Sequence, residues 1–126
     1  MARDLVRVLI VDDHPWVQRG MAKLIEGWEG FVVGGQALTS RRCLDLIRSE
    51  AFDVVILDLR LAGENGLDTL AAIRRLKPEL PVVVHCIDSE HSARAALAAG
   101  AVSVVGKDEG PDKLERALRI LFPSAA

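Results

Sequence analysis

The 126-residue sequence predicts an α/β domain built on a doubly wound parallel sheet, with five strands alternating with five helices. Two observations carry that prediction. Short, nearly all-apolar runs, of the kind buried on both faces of a sheet, alternate with longer stretches of helical periodicity. Polar residues stand just past three of those runs, at the strand ends where an open α/β sheet gathers its ligands.

Val6-Arg7-Val8-Leu9-Ile10-Val11 is β-branched and almost wholly apolar, which suits a first strand. It stops at Asp12-Asp13-His14, and Pro15 sits where a first helical residue would. Val17, Met21, Leu24, Ile25 and Trp28 then recur at helical spacing. Phe31 to Gly35 reads as a weaker second strand, and Thr39 or Ser40 caps a helix carrying Cys43, Leu44 and Ile47. Val54-Val55-Ile56-Leu57 leads to Asp58 as the third strand, followed by a loop from Leu59 to Asn65 that holds Gly63. Gly66 opens a helix with Leu67, Leu70 and Ile73. Pro78 and Pro81 bracket a turn before the fourth strand, Val82-Val83-Val84. An alanine-rich helix runs from about Ser89 to Ala99, with Gly100 as a left-handed cap. Ala101 to Val105 forms the fifth strand, and Pro111 starts a last helix with Leu114, Ala117, Leu118 and Leu121.

At 50% hydrophobic and 27% charged residues, the composition excludes wholesale disorder. Net charge is −2, and the 16 basic residues are scattered, with no run longer than Arg41-Arg42 or Arg74-Arg75. The concentrated basic face of a nucleic-acid binder is missing. The apolar runs are too short for a membrane span, and Met1-Ala2-Arg3-Asp4 does not begin a secretory signal. Cys43 and Cys86 fit neither a disulfide framework nor a four-ligand zinc site. The expectation is a single cytoplasmic domain over residues 1–126, without membrane association.

Asp12 and Asp13 follow the first strand, Asp58 the third and Lys107 the fifth, so the topology gathers all four at one edge of the sheet. Crowded carboxylates repel one another unless a cation neutralises them. An all-oxygen set with few protein ligands suits Mg2+, and lysine offers a compact charge to a phosphoryl oxygen. Acids, metal and lysine together describe a phosphoryl-transfer pocket with one aspartate as nucleophile. Each piece has a plainer reading alone, since acids after strands often cap helices and loop lysines are usually solvated. A carboxylate closing four apolar residues, as Asp58 does, needs a reason, and the joint order of the four favours a site. His14 reads as part of the local turn, His85 and Cys86 lack partners for a soft-metal site, and Trp16 and Trp28 read as packing or partner-contact residues.

Ile10-Val11-Asp12-Asp13-His14-Pro15-Trp16-Val17, with Gly20 downstream, resembles the opening of response-regulator receiver domains. It is particularly similar to the NarL/FixJ subgroup, whose DNA-binding members carry a LuxR-type helix-turn-helix. Asp58-Leu59-Arg60-Leu61-Ala62-Gly63 with Asn65-Gly66 resembles the phosphoacceptor strand and its loop. Gly100-Ala101 and Lys107-Asp108 resemble the flanks of the fifth strand, and Gly110-Pro111 the start of the last helix. The resemblance covers about residues 5–121 and implies a flavodoxin-like sheet of strand order 2-1-3-4-5. It implies that Asp58 accepts a phosphoryl group, as an acyl phosphate, from a histidine kinase or phosphotransfer protein. Asp12, Asp13 and Asp58, with the backbone carbonyl of Arg60, would hold Mg2+, and Lys107 would pair with Asp58 or the phosphate. By the same resemblance the domain is a signalling module and not an enzyme in its own right. Its expected output is transcriptional control through a DNA-binding domain that is missing from this chain or separate. Its expected self-association uses the fourth helix, fifth strand and fifth helix, with no nucleic acid bound by the receiver itself.

The departures from the family lie in the switch. Receivers relay phosphorylation through a Ser or Thr on the fourth strand and an aromatic residue on the fifth. Counting from Pro81 puts Cys86 at the hydroxyl position and Val104 at the aromatic one; an alternative register puts His85 at the first. A thiol is a weak hydrogen-bond donor, so Cys86 would hold a phosphoryl oxygen poorly. Val104 has no ring to rotate, and the chain has no tyrosine. Ala62 replaces the usual proline after the acceptor strand, and Asp108 stands where a proline often follows the lysine. Arg60 either gates the phosphate or is solvated. The expectation is complete acceptor chemistry with an altered relay. A degenerate receiver that binds partners without phosphate is the alternative, favoured by Cys86 and Val104 and opposed by the acids and Lys107. A phosphohydrolase would usually need a second acid two residues past the nucleophile, where this chain has Arg60.

Overall fold

The computed structural model describes residues 5–87 and 90–125. In chain order the elements are β1 (Val6–Val11), α1 (Pro15–Glu26), β2 (Phe31–Ala37), α2 (Ser40–Ser49), β3 (Val54–Leu57), the short β4 (Arg60–Leu61) and β5 (Glu64–Asn65), and α3 (Gly66–Leu76). They continue with β6 (Val82–Cys86), α4 (Glu90–Ala98), β7 (Ser103–Gly106) and α5 (Pro111–Leu121). Five strands pair in parallel in the order β2-β1-β3-β6-β7. This is the expected 2-1-3-4-5 order, with the two-residue strands β4 and β5 inserted along the chain.

Successive strand side chains point to opposite faces, and this sequence buries both. On one face Leu9, Val11, Val55, Leu57, Val82 and Val84 meet Cys43, Ile47, Leu70, Ile73 and Ala96 from α2, α3 and α4. On the other, Val8, Ile10, Val54, Ile56 and Val83 meet Met21 and Ile25 of α1 and Leu114 and Leu118 of α5. Each fully buried Val, Leu or Ile stabilises the fold by about 1.5–3 kcal/mol, so the strands that carry the site rest on the best-packed part of the molecule.

Several local expectations are settled by hydrogen bonds. Thr39, not Ser40, caps α2: its Oγ1 accepts from Arg42 N at 3.1 Å, while the Ser40 hydroxyl accepts from Thr69 Oγ1 at 3.0 Å. β2 runs two residues beyond Gly35, to Ala37, and a bulge passes over Gly34 as the register moves from Val8↔Val33 to Leu9↔Gly35. In α1 the inward stripe is Gln18, Met21 and Ile25, so Leu24 lies off it and is exposed, and Trp28 falls beyond the helix end. The expected loop after Asp58 is partly ordered as an antiparallel ribbon, Arg60↔Asn65 and Leu61↔Glu64, turning at Gly63 with φ +69°. β7 starts at Ser103, two residues later than expected, and Gly100 has φ +109°. The expected first residue of the fourth helix, Ser89, lies outside the described residues, as do Met1 to Asp4. Among the described residues, no helix is long and apolar enough to cross a membrane.

Candidate functional site

β1 and β3 are parallel neighbours with Val11 opposite Leu57, so the next residue of each, Asp12 and Asp58, emerges at the same edge. Backbone bonds fix both: Asp12 N donates to Ala37 O at 3.1 Å and Asp58 N to Val11 O at 2.9 Å. Lys107 follows β7, its own amide anchored to Cys86 O at 2.8 Å. From there its side chain reaches back past β6, and Nζ donates to Asp12 Oδ2 at 3.0 Å and Asp58 Oδ2 at 2.9 Å. Both carboxylates are about 5% exposed, where an unpaired charge would be costly.

The remaining oxygens are held by backbone amides. Asp12 Oδ1 accepts from His14 N at 2.9 Å, and Asp58 Oδ1 from Arg60 N at 3.0 Å. Asp13 Oδ2 accepts from Ala62 N at 3.0 Å, which ties Asp13 to the β4–β5 turn. Asp13 Oδ1 is different: it is buried and accepts no hydrogen bond, because His14 Nδ1, although 2.9 Å away, lacks the geometry for one. Ligand atoms of Asp12, Asp13, His14 and Asp58 all lie within 4.8 Å of one another. One ammonium cannot neutralise three carboxylates, and a divalent cation matches what is left. A bare, buried carboxylate oxygen among hard oxygen donors fits Mg2+.

The electrostatics agree with this pairing. Burial pushes the Asp12 carboxyl up, but the His14 amide and Lys107 outweigh it and hold the group below its ordinary value. Burial pushes Lys107 down, yet Asp58 and Asp12 hold it above the usual lysine range. Both groups are therefore fixed in their charged forms. His85 is held below the ordinary histidine value by burial and by Lys107, against the opposing pull of Asp58 and Asp12.

The two switch candidates also come together. Cys86 is 2% exposed and shares the α4-covered face with Val104, whose strand partner is Val84. By strand alternation His85 takes the opposite face. Cys43 sits apart in α2, also buried, and burial pushes its thiol up to about 12. Arg60 is exposed, and its amide donates to Asp58 Oδ1.

Three supporting roles escaped the sequence reading. Gln18 is 2% exposed, and its Nε2 donates to the carbonyls of Asp12, at 2.9 Å, and Ala37, bracing the ends of β1 and β2 beneath the acids. Glu64 Oε1 accepts from Ser40 N at 3.0 Å and fastens the ribbon to α2. A Cβ on Gly66 would lie 2.4 Å from Leu59 Cα, so only glycine lets Gly66 N approach Leu59 O at 3.0 Å. The Asn65-Gly66 pair was the one signal available, with Asn65 Oδ1 capping α3 through Leu67 N.

Comparison with known proteins places this fold and its acidic pocket. Residues 8–119 match the response regulator receiver domain family, to which this chain belongs. The chain is 34% identical over 119 residues to the response regulator GacA of Pseudomonas aeruginosa, covering 94% of this chain and 56% of that protein. It superposes on a two-component response regulator of the LuxR family from Aurantimonas sp. SI85-9A1 with a TM-score of 0.89 at 29% identity, covering 95% of this chain and 86% of the other. The isolated receiver domain of RcsB from Salmonella enterica serovar Typhimurium, in the presence of the phosphomimetic BeF3−, gives a TM-score of 0.88 at 27% identity, covering 96% and 91%. The chain spans about half the length of the curated relatives it matches.

Proposed function

We propose that this receiver takes a phosphoryl group from the phosphohistidine of a histidine kinase or phosphotransfer protein onto Asp58, and passes the event to an output that controls transcription. The observation that carries this is Lys107 Nζ held between Asp12 and Asp58, beside the bare Asp13 Oδ1. An Asp58 carboxylate oxygen attacks phosphorus, the phosphorus–nitrogen bond breaks, and its electron pair leaves with the donor imidazole, which takes up a proton. The product on Asp58 is an acyl phosphate. Asp12, Asp13 and Asp58 and the backbone carbonyl of Arg60 would hold Mg2+, which supplies charge neutralisation at the phosphoryl oxygens when bound. Lys107, already against Asp58 Oδ2, needs only to exchange a carboxylate oxygen for a phosphoryl oxygen. The domain is thus the consumed acceptor, not a turnover catalyst, and its place of work is the cytoplasm.

Cys86 takes the switch position of the hydroxyl and Val104 that of the aromatic residue; their common face supports this over the register through His85. A second copy would dock on α4, β7 and α5, where Leu97 of α4 and Val102, just before β7, are exposed, while nucleic acid would meet only the output. The buried thiol of Cys86 favours a second reading, an interaction module indifferent to phosphate. Acetyl phosphate with Mg2+, followed by intact-protein mass, separates the two. One added phosphoryl mass, lost in Asp58→Asn, is the expected result. Equal labelling of the Asn variant would overturn the assignment, and an unlabelled native protein would favour the second reading.

A further inference from the structure

β7 is an edge strand, so one side of its backbone has no strand to pair with. Its last residue, Gly106, is buried, and directly precedes Lys107. Glu109 grips Gly106 twice: its Oε1 accepts from Gly106 N at 2.7 Å, and its own amide donates to Gly106 O at 3.1 Å. Lys107 lies inside the four-residue loop so closed. The other carboxylate oxygen, Oε2, is 3.0 Å from Lys113 Nζ, one turn into α5. A short hydrogen bond accepted by an ionised carboxylate is among the stronger kinds.

We infer that Glu109 is the positioning residue for Lys107, and that it couples the acidic pocket to the first turn of α5. This rests on the role given to Lys107 above. The side chain of Lys107 must span from the sheet edge to two carboxylates, so its reach is set by where the turn holds its Cα. The turn is held by Cys86 O on one side and by Glu109 on the other. Any partner that pulls Lys113 or the start of α5 would therefore loosen or tighten the ammonium in the pocket.

The test measures two quantities in the whole chain: the rate of labelling by acetyl phosphate, by intact mass, and Mg2+ affinity, by calorimetry. Glu109→Ala should slow labelling about tenfold. It should also bind Mg2+ about threefold more tightly, because the ammonium that competes for Asp12 and Asp58 is held less firmly. Glu109→Gln keeps an oxygen for Gly106 N and should stay within about threefold of the native rate. In a Lys107→Ala background, Glu109→Ala should leave Mg2+ affinity unchanged, since its effect runs through Lys107. Native values in Glu109→Ala, or rate and Mg2+ affinity falling together, or an equal effect without Lys107, would overturn the inference. A native chain that takes no label at all would instead refute the acceptor reading, leaving the Mg2+ comparison to judge Glu109.

Discussion

Lys107→Met keeps a long flexible side chain and deletes the ammonium from between Asp12 and Asp58. At about 3 Å and an effective dielectric of 20, each of the two ion pairs has a gross attraction of roughly 5 kcal/mol, most of which is offset by desolvating the charges. Breaking such a pair leaves two nearly buried carboxylates facing each other, so the net loss should be about 3 kcal/mol, or roughly 10 °C in Tm for a domain of this size. The pH dependence follows from the directions of the two shifts. Asp12 is held below its ordinary value, so its stabilisation is present above about pH 4 and is lost as pH falls through the lower folded value. Lys107 is held above its ordinary value, so its share is complete below about pH 10.4 and is lost as pH rises through the folded value. The gap between native and variant should therefore be widest at neutral pH and shrink at both extremes. Mg2+ should narrow it as well, because the unneutralised acids of the variant bind the cation more tightly. Urea unfolding in EDTA and in saturating Mg2+, across pH, measures all three. A variant as stable as the native chain in EDTA at pH 7, with the same Mg2+ affinity, would refute the reasoning.

Asp13→Ala removes the bare Oδ1 and should abolish Mg2+ stabilisation, which in the native chain reaches about 2.7 kcal/mol at a hundredfold excess over Kd; an unchanged thermal shift would place the cation elsewhere. Cys86→Thr, alone and with Val104→Tyr, should enlarge the phosphate-dependent change in amide exchange at β7. A restored contact to a charged oxygen is worth about 1.5–3 kcal/mol, or roughly 10- to 150-fold in the population ratio; a large native response that the double variant does not increase would argue against an impaired relay. Arg94→Glu and Arg116→Glu should weaken a dimer formed through α4, β7 and α5, as read by sedimentation velocity, and a dimer indifferent to both would point to another surface.

Periodicity and strand-end chemistry made much of this protein legible. Val54–Leu57 is apolar at every position because both faces of β3 are covered, and such a run can hardly be anything but a central strand. Asp58 closing that run, and Asp12-Asp13 closing β1, stood out because a carboxylate beside a buried strand has to be explained. Pro15 and Pro111 marked helix starts for a local reason, the absence of an amide hydrogen that a first turn does not use. These are properties of a residue and its near neighbours, which a sequence window contains.

What only the tertiary structure decided depends on groups distant along the chain. Lys107 meets Asp12 across 95 residues, and Asp13 meets Ala62 across 49, so neither partnership leaves a periodic trace. Gln18 turns inward and Leu24 outward, against their hydrophobicity, because the ends of β1 and β2 present carbonyls that a buried amide must satisfy. The β4–β5 ribbon forms because Asp13, Asp58 and Ser40 take up its polar groups from three sides. Composition and period determined which surfaces of this chain would be dry; the unpaired hydrogen-bonding groups left at the strand ends decided which side chains closed the pocket, and those become known only when the strands are side by side.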